Sequence, residues 1–166
     1  MTADELAAHI EIPQLLYRYC RGVDRGSAEL IKSVYHPGAQ DEHGGFSGAG
    51  TDFAEMIVER MDVLTLPSQH HITNILIQLD GDKAAVESYY LALHAGLEGV
   101  IPVGGRYLDR FERRNGEWRI AHRRVVIDWS HEPMITPAWS RQAEFPAGRR
   151  RAEDPSFADF AHAVER

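Results

Sequence analysis

Gln69 to Tyr90 reads QHHITNILIQLDGDKAAVESYY, and its hydrophobic period decides what kind of fold the chain makes. Before Pro67 the apolar residues recur at helical spacing; after it they become dense, β-branched and aromatic, the composition of strands. The stretch therefore predicts a strand over about 69–79 and a second from Lys83 to Gly96, joined by a hairpin turn at LDGDK. Gly104 to Arg113 and Glu117 to Trp129 read as two more, joined by RRNGEW, whose Asn-Gly pair suits a two-residue type I′ turn. Consecutive strands with short turns predict an antiparallel meander.

The first half of the chain is helical. Thr2 and Glu5 have the spacing of a capping box, and Pro13 suits the first turn of a restarted helix better than a helix interior. Ile12, Leu15, Leu16, Tyr19, Cys20 and Val23 then share one face of a helix that ends at DRGS. A short helix carrying Leu30, Ile31 and Val34 is stopped by HPG. Thr51 is placed as the N-cap of a third helix, with Phe53, Met56, Ile57, Met61 and Leu64 inward. Helices followed by strands indicate an α+β domain rather than alternating βαβ units. One domain over 1–130 is expected, followed by an extended tail over 131–166 that packs on the body or on a neighbouring subunit.

Composition narrows the function. Of 166 residues, 43% are hydrophobic and 26% charged, an ordinary globular balance for one core. The net charge of −7 argues against a protein that tracks phosphates along a nucleic acid, and Arg149-Arg150-Arg151 is diluted by Glu153 and Asp154. A lone Cys20 can form no internal disulfide, the N-terminus lacks the pattern of a secretory signal, and no apolar run is long enough to span a bilayer. A cytoplasmic location is the expectation. No serine–histidine motif, phosphate loop, dinucleotide fingerprint or helix-spaced metal-ligand pattern is present, so neither cofactor nor metal is expected.

A few residues carry chemistry. Asp24 continues the Leu16, Cys20 stripe to the edge of an apolar face, where a carboxylate needs a partner, a task or the solvent of the following turn. Tyr19 lies to the side of the same face. In the first histidine strand His70, Ile72, Asn74 and Leu76 share one side while His71, Thr73, Ile75 and Ile77 share the other. Aliphatics on both sides leave the inward histidine open. In the next strand Ser88, Tyr90, Ala92 and His94 form the small-plus-polar side expected of a pocket wall, opposite Glu87, Tyr89, Leu91 and Leu93.

The order YRYCRGVDRGSAELIKSVYHPGA, then SQHHITNILIQLDGDKAAVESYY, then GGRYLDRFERRNGEWRIAHRRVVIDW resembles the SnoaL-like branch of the nuclear-transport-factor-two superfamily, over roughly Glu5 to Trp129. That branch includes scytalone dehydratase, bile-acid dehydratase and hexachlorocyclohexane dehydrochlorinase. The resemblance implies a cone, made by a curved antiparallel sheet wrapped over helices around a ligand cavity. It also implies a catalytic His–Asp pair: Asp24 of GVD and His70 of QHHITN, with His71 turned outward. Tyr19, five residues before Asp24, matches a tyrosine of the bile-acid enzyme. Val23 and Tyr90 depart from scytalone dehydratase, which has a tyrosine and a second histidine at those places, and Tyr107 stands near its cavity asparagine.

Such a set suits proton transfer. An imidazole oriented by a carboxylate can take a proton from carbon, and a tyrosine can hydrogen-bond a developing oxyanion or protonate a departing hydroxyl. Tyr19 leads as donor; Tyr90, Tyr107, His43 and His94 are candidates for contacting substrate. Arg124, placed by alternation on one side with Trp118, Ile120 and His122, is a candidate for an acidic substrate or else a surface ion pair. The expectation is a cofactor-independent lyase acting on a small, largely apolar carbonyl or hydroxyl compound. An isomerase, cyclase or hydrolase using the same cavity is the alternative, as is an assembly module resembling a dioxygenase β-subunit. A homo-oligomer, dimer or trimer, is expected through the uncovered sheet face.

Overall fold

The computed structural model describes residues 1–64, 67–96 and 99–131, together with Pro146 and Pro155. Apart from His131, Pro146 and Pro155, the expected tail lies outside the described residues, as does the side chain of Leu64. Three helices, α1 (Ala3–Asp24), α2 (Ala28–Lys32) and α3 (Gly50–Leu64), pack on a six-stranded sheet. Its strands are β1 (Tyr35–His43), β2 (Phe46–Ala49), β3 (Ser68–Asp80), β4 (Lys83–Gly96), β5 (Gly99–Arg114) and β6 (Glu117–Ser130). They lie in the order β2-β1-β6-β5-β4-β3. The α+β class and the four-stranded meander are as expected.

The sheet is nevertheless mixed, because β1 runs parallel to β6. β1 and β2 escaped the sequence reading for a physical reason. α2 ends at Lys32, before HPG is reached, so HPG is not its stop; Pro37 and Gly38 sit instead in an irregularity of β1 between the paired positions Tyr35 and Gln40, so the strand carries breakers inside it. β2 is only four residues long.

α1 starts with the capping box between Thr2 and Glu5 and runs unbroken through Pro13. Pro13 is thus a helix-interior residue and no restart occurs. Its neighbours Ile12, Leu15 and Leu16 are buried, and anchoring by that face, with each such side chain contributing ~1.5–3 kcal/mol, offsets the lost backbone bond. α3 begins at Gly50, so Thr51 lies within its first turn rather than at its cap. Phe53 is buried and Met56 and Ile57 pack against the core. At the tip of the β5–β6 hairpin Asn115 and Gly116 both have positive φ, 53° and 83°, as a type I′ turn requires.

α1 and α2 meet at Gly22, where a methyl group would stand 2.6 Å from Cγ1 of Ile31. Alanine is the better helix former by about 1 kcal/mol, but forcing atoms into a packed contact costs about 1–3 kcal/mol. Gly22→Ala should therefore lower the urea midpoint. A raised midpoint would show that the two helices separate without loss.

Two irregularities re-phase the inner side of the sheet. In β3 the pairing with β4 shifts between Thr73 and Leu76, where Asn74 has φ 48°. His70 and Ile72 therefore face α1, but beyond the shift Ile75, Ile77 and Leu79 pack on the core, while Leu76 is 56% exposed. In β6 the pairing with β5 shifts where Arg110 and Phe111 meet His122 and Ile120. Trp118 and Ile120 are buried before that point, and Arg123, Val125 and Ile127 after it. An extra residue in one strand turns every later side chain to the other face.

Candidate active site

Asp24 ends α1 beside the start of β3, and its carboxylate is saturated by that strand. Oδ1 lies 2.6 Å from Nδ1 of His70 and accepts from the Ser68 hydroxyl at 2.9 Å, while Oδ2 accepts from the backbone N–H of His70 at 2.8 Å. Burial alone would raise the Asp24 pKa, but the hydrogen bonds from the side chain and backbone of His70, joined by Ser68, hold it below the usual carboxylate value. The pair is therefore drawn as an ionised carboxylate accepting from Nδ1–H of the His70 imidazole. The other ring nitrogen, Nε2, has no hydrogen-bond partner among the described residues. His71 is exposed on the opposite side of the strand.

His94 stands edge-on to His70, with ring centroids 5.7 Å apart. Burial first, and then the neighbouring charge of His70, push its pKa down to about 4, so it faces His70 as a neutral imidazole at ordinary pH. Cys20 lines the approach to the pair, and burial pushes its thiol up to about 12, which leaves it a small inert hydrophobe.

Deeper in the sheet lies a buried polar group that the sequence reading missed. Asp41, Arg123 and Asp109 are register partners on β1, β6 and β5. Arg123 is fully buried, and its Nε and Nη2 donate to the two oxygens of Asp109 at 2.8 and 2.7 Å. Its guanidinium lies 4.1 Å from the ring centroids of both Tyr19 and Tyr107. The Tyr35 hydroxyl donates to Oδ2 of Asp41 at 2.5 Å. Three buried atoms of this interior, Nη1 of Arg123, Oδ1 of Asp41 and Oγ of Ser88, have no hydrogen-bond partner among the described residues. Arg123 is paired with the Asp109 carboxylate, so it offers an oriented N–H donor more than a net positive charge.

The remaining sequence candidates divide between these two regions. Tyr19 lies with Arg123, Tyr35 and Tyr107; burial pushes its hydroxyl well above the usual phenol value, against the opposing charge of Arg123, so it stays protonated. Tyr90 stacks on Tyr107 at 4.6 Å and donates its hydroxyl to the Val126 carbonyl. His43 stacks on Phe53, with Nδ1 3.4 Å from Oδ1 of Asp41. Arg124 lies on the outer side, where Nε binds Glu42 at 2.9 Å, and His122 binds the same carboxylate at 2.8 Å. Simple alternation placed Arg124 with Trp118 and Ile120, whereas the irregularity at Ala121 gives that side to Arg123. The switch of apolar residues from even positions (Trp118, Ile120) to odd ones (Val125, Ile127) was the available signal. Among the described residues no three His, Cys, Asp or Glu side chains converge to hold a metal ion, and no helix is long and apolar enough to cross a membrane.

Comparison with known proteins agrees with this architecture. A protein named as a candidate scytalone dehydratase from Novosphingobium aromaticivorans superimposes with a TM-score of 0.75 at 21% identity, covering 91% of this chain and 100% of that one. The hexachlorocyclohexane dehydrochlorinase LinA-type3 from Novosphingobium barchaimii gives 0.71 at 22% identity, over 80% and 94%. A protein of unknown function with a cystatin-like fold from Nostoc punctiforme gives 0.64 at 20% identity, over 77% and 94%. At these identities the likeness is one of fold. No curated protein sequence matches the chain. The SnoaL-like domain, however, matches residues 4–124, and the chain belongs to that family.

Proposed function

We propose that the chain is a lyase that needs no cofactor and eliminates water or a similar small leaving group from a small, largely apolar carbonyl or hydroxyl compound. The observation that carries this reading is the 2.6 Å contact between His70 Nδ1 and Asp24 Oδ1, which leaves Nε2 unengaged among the described residues. Nε2 takes a proton from carbon, the electrons of that C–H bond form the double bond, and the leaving group departs from the neighbouring carbon with its bonding pair. Tyr19 and Nη1 of Arg123 are the donors available to the departing or developing oxygen. The dehydratase and dehydrochlorinase names among the similar structures support the same reaction class.

The test is incubation of the purified chain, with EDTA present, with small cyclic β-hydroxy ketones and halides, followed by mass spectrometry of products. Loss of water or hydrogen halide is expected. Deuterium uptake with no loss of mass would replace elimination by isomerisation, and restoration of an EDTA-sensitive activity by metal would overturn the metal-free reading.

A cytoplasmic homo-oligomer completes the proposal. Tyr89, Leu91 and Leu93 point away from the helices, and Tyr89 is 43% exposed, with Val100 and Trp129 at 55% and 49%. Apolar surface of this kind favours association. Light scattering at micromolar concentration should give a dimer or trimer, and a monomer would remove the oligomer from the proposal.

A further inference from the structure

The outer approach to the His70–Asp24 pair is a groove of about 280 Å³ between α1 and the start of β3. Tyr17, Cys20, Arg21, Asp24 and Arg25 line it at helical spacing, and Gln69 to Ile72 form the facing wall. Arg18 and Arg110 are exposed arginines with no ion pair among the described residues, but neither lines this groove, whereas Arg21 and Arg25 do so together. Arg106, Arg113, Arg114, Arg119, Arg123 and Arg124 are each held by a carboxylate. Arg21 and Arg25 are exposed, and their side chains have no ion pair or hydrogen bond among the described residues. Among the described residues the one carboxylate lining the groove, Asp24, is already committed to His70 and Ser68. Two free guanidinium groups thus open onto the pair in a chain whose net charge is −7.

We propose that this groove binds the anionic end, phosphate or carboxylate, of the small molecule on which His70 acts, and so sets which compounds reach the base. The proposal rests on the reading of His70–Asp24 as the reacting pair. Paired arginines give an anion fork-shaped, charge-assisted hydrogen bonds, while the exposed ring of Tyr17 and the side chain of Ile72 offer apolar surface to the rest of the ligand. A groove of this size has room for a one-ring body beside the two arginines. Arg21 also lies in the last turn of α1, where any cation is favoured by the helix dipole. A purely structural role would cost stability on removal and leave ligand affinity alone, so the two roles separate experimentally.

The experiment is an NMR titration of the full chain with phenyl phosphate, phenylacetate and the neutral phenylacetamide, following the ring signals of His70 and His71. At least one anion should bind, move those signals and weaken with added salt. Affinity for it should fall about tenfold or more in Arg21→Gln/Arg25→Gln, in keeping with the loss of charge-assisted hydrogen bonds. A control, Arg18→Gln, exposed on the same helix but outside the groove lining, should bind as the parent does. Preference for phenyl phosphate identifies a phosphorylated ligand, and preference for phenylacetate a carboxylated one. Equal binding of the neutral amide, unchanged anion affinity in the double variant, or no binding of either anion overturns the proposal. The titration needs no turnover, so its failure leaves the acid–base reading standing, and failure of the base assignment leaves the titration unaffected.

Discussion

His70→Ala should fold as the parent does and turn substrate over at least about a hundredfold more slowly, the scale of general-base assistance. The residue lies near the start of an edge strand, and its backbone N–H, which holds Asp24, survives the substitution. Asp24→Asn should slow turnover comparably while also costing stability. The carboxylate accepts three hydrogen bonds through two oxygens, and an amide has only one oxygen to offer, so about 1–3 kcal/mol of unsatisfied hydrogen bonding is expected. Acid should lower stability through Asp24. A group whose folded pKa is depressed, as that of Asp24 is, contributes stability above its unfolded value and loses it as pH falls through the folded value. Near-parental turnover in folded His70→Ala would eliminate the base assignment.

Arg123→Met should be the most destabilising single change in the sheet, by about 3–5 kcal/mol, because it leaves a buried carboxylate without its counter-ion. Asp109 is buried at 2% exposure, and desolvation already holds its pKa above the usual carboxylate value despite the guanidinium. For a domain whose total stability is of order 5–15 kcal/mol, that loss is a large fraction. Asp109→Leu combined with Arg123→Met should recover most of it, since removing both charges also removes both desolvation costs. Urea unfolding of the two variants measures this. A double variant no more stable than Arg123→Met would mean that Tyr19 and Tyr107 depend on the cation between them more than Asp109 does.

The legible and illegible parts of the chain differ by how local their causes are. The Thr2–Glu5 box, the Asn115-Gly116 turn and the α1 stripe each depend on residues within a turn or two, and all appear in the structure as the sequence implied. The inner identity of Ser88, Tyr90, Ala92 and His94 was legible for the same reason, because β4 pairs with β5 without a register shift. Arg123 was hidden because its face depends on one extra residue at Ala121, which only the partner strand reveals. β1 was hidden because its Pro37-Gly38 irregularity resembles a stop signal, and its pairing partner β6 is some eighty residues away, as in Asp41 with Arg123. His70 was settled by family resemblance rather than by pattern, since the shift at Asn74 spreads aliphatics over both sides of β3.

The bond from the His70 backbone to Asp24 has a second consequence. β3 is an edge strand, and edge N–H groups invite pairing with another chain. By occupying one of them, the carboxylate at the end of α1 closes part of the sheet to intermolecular extension. The side chain that orients the proposed base therefore also guards solubility, so selection against aggregation could keep an aspartate at this position even in a descendant that had lost its chemistry.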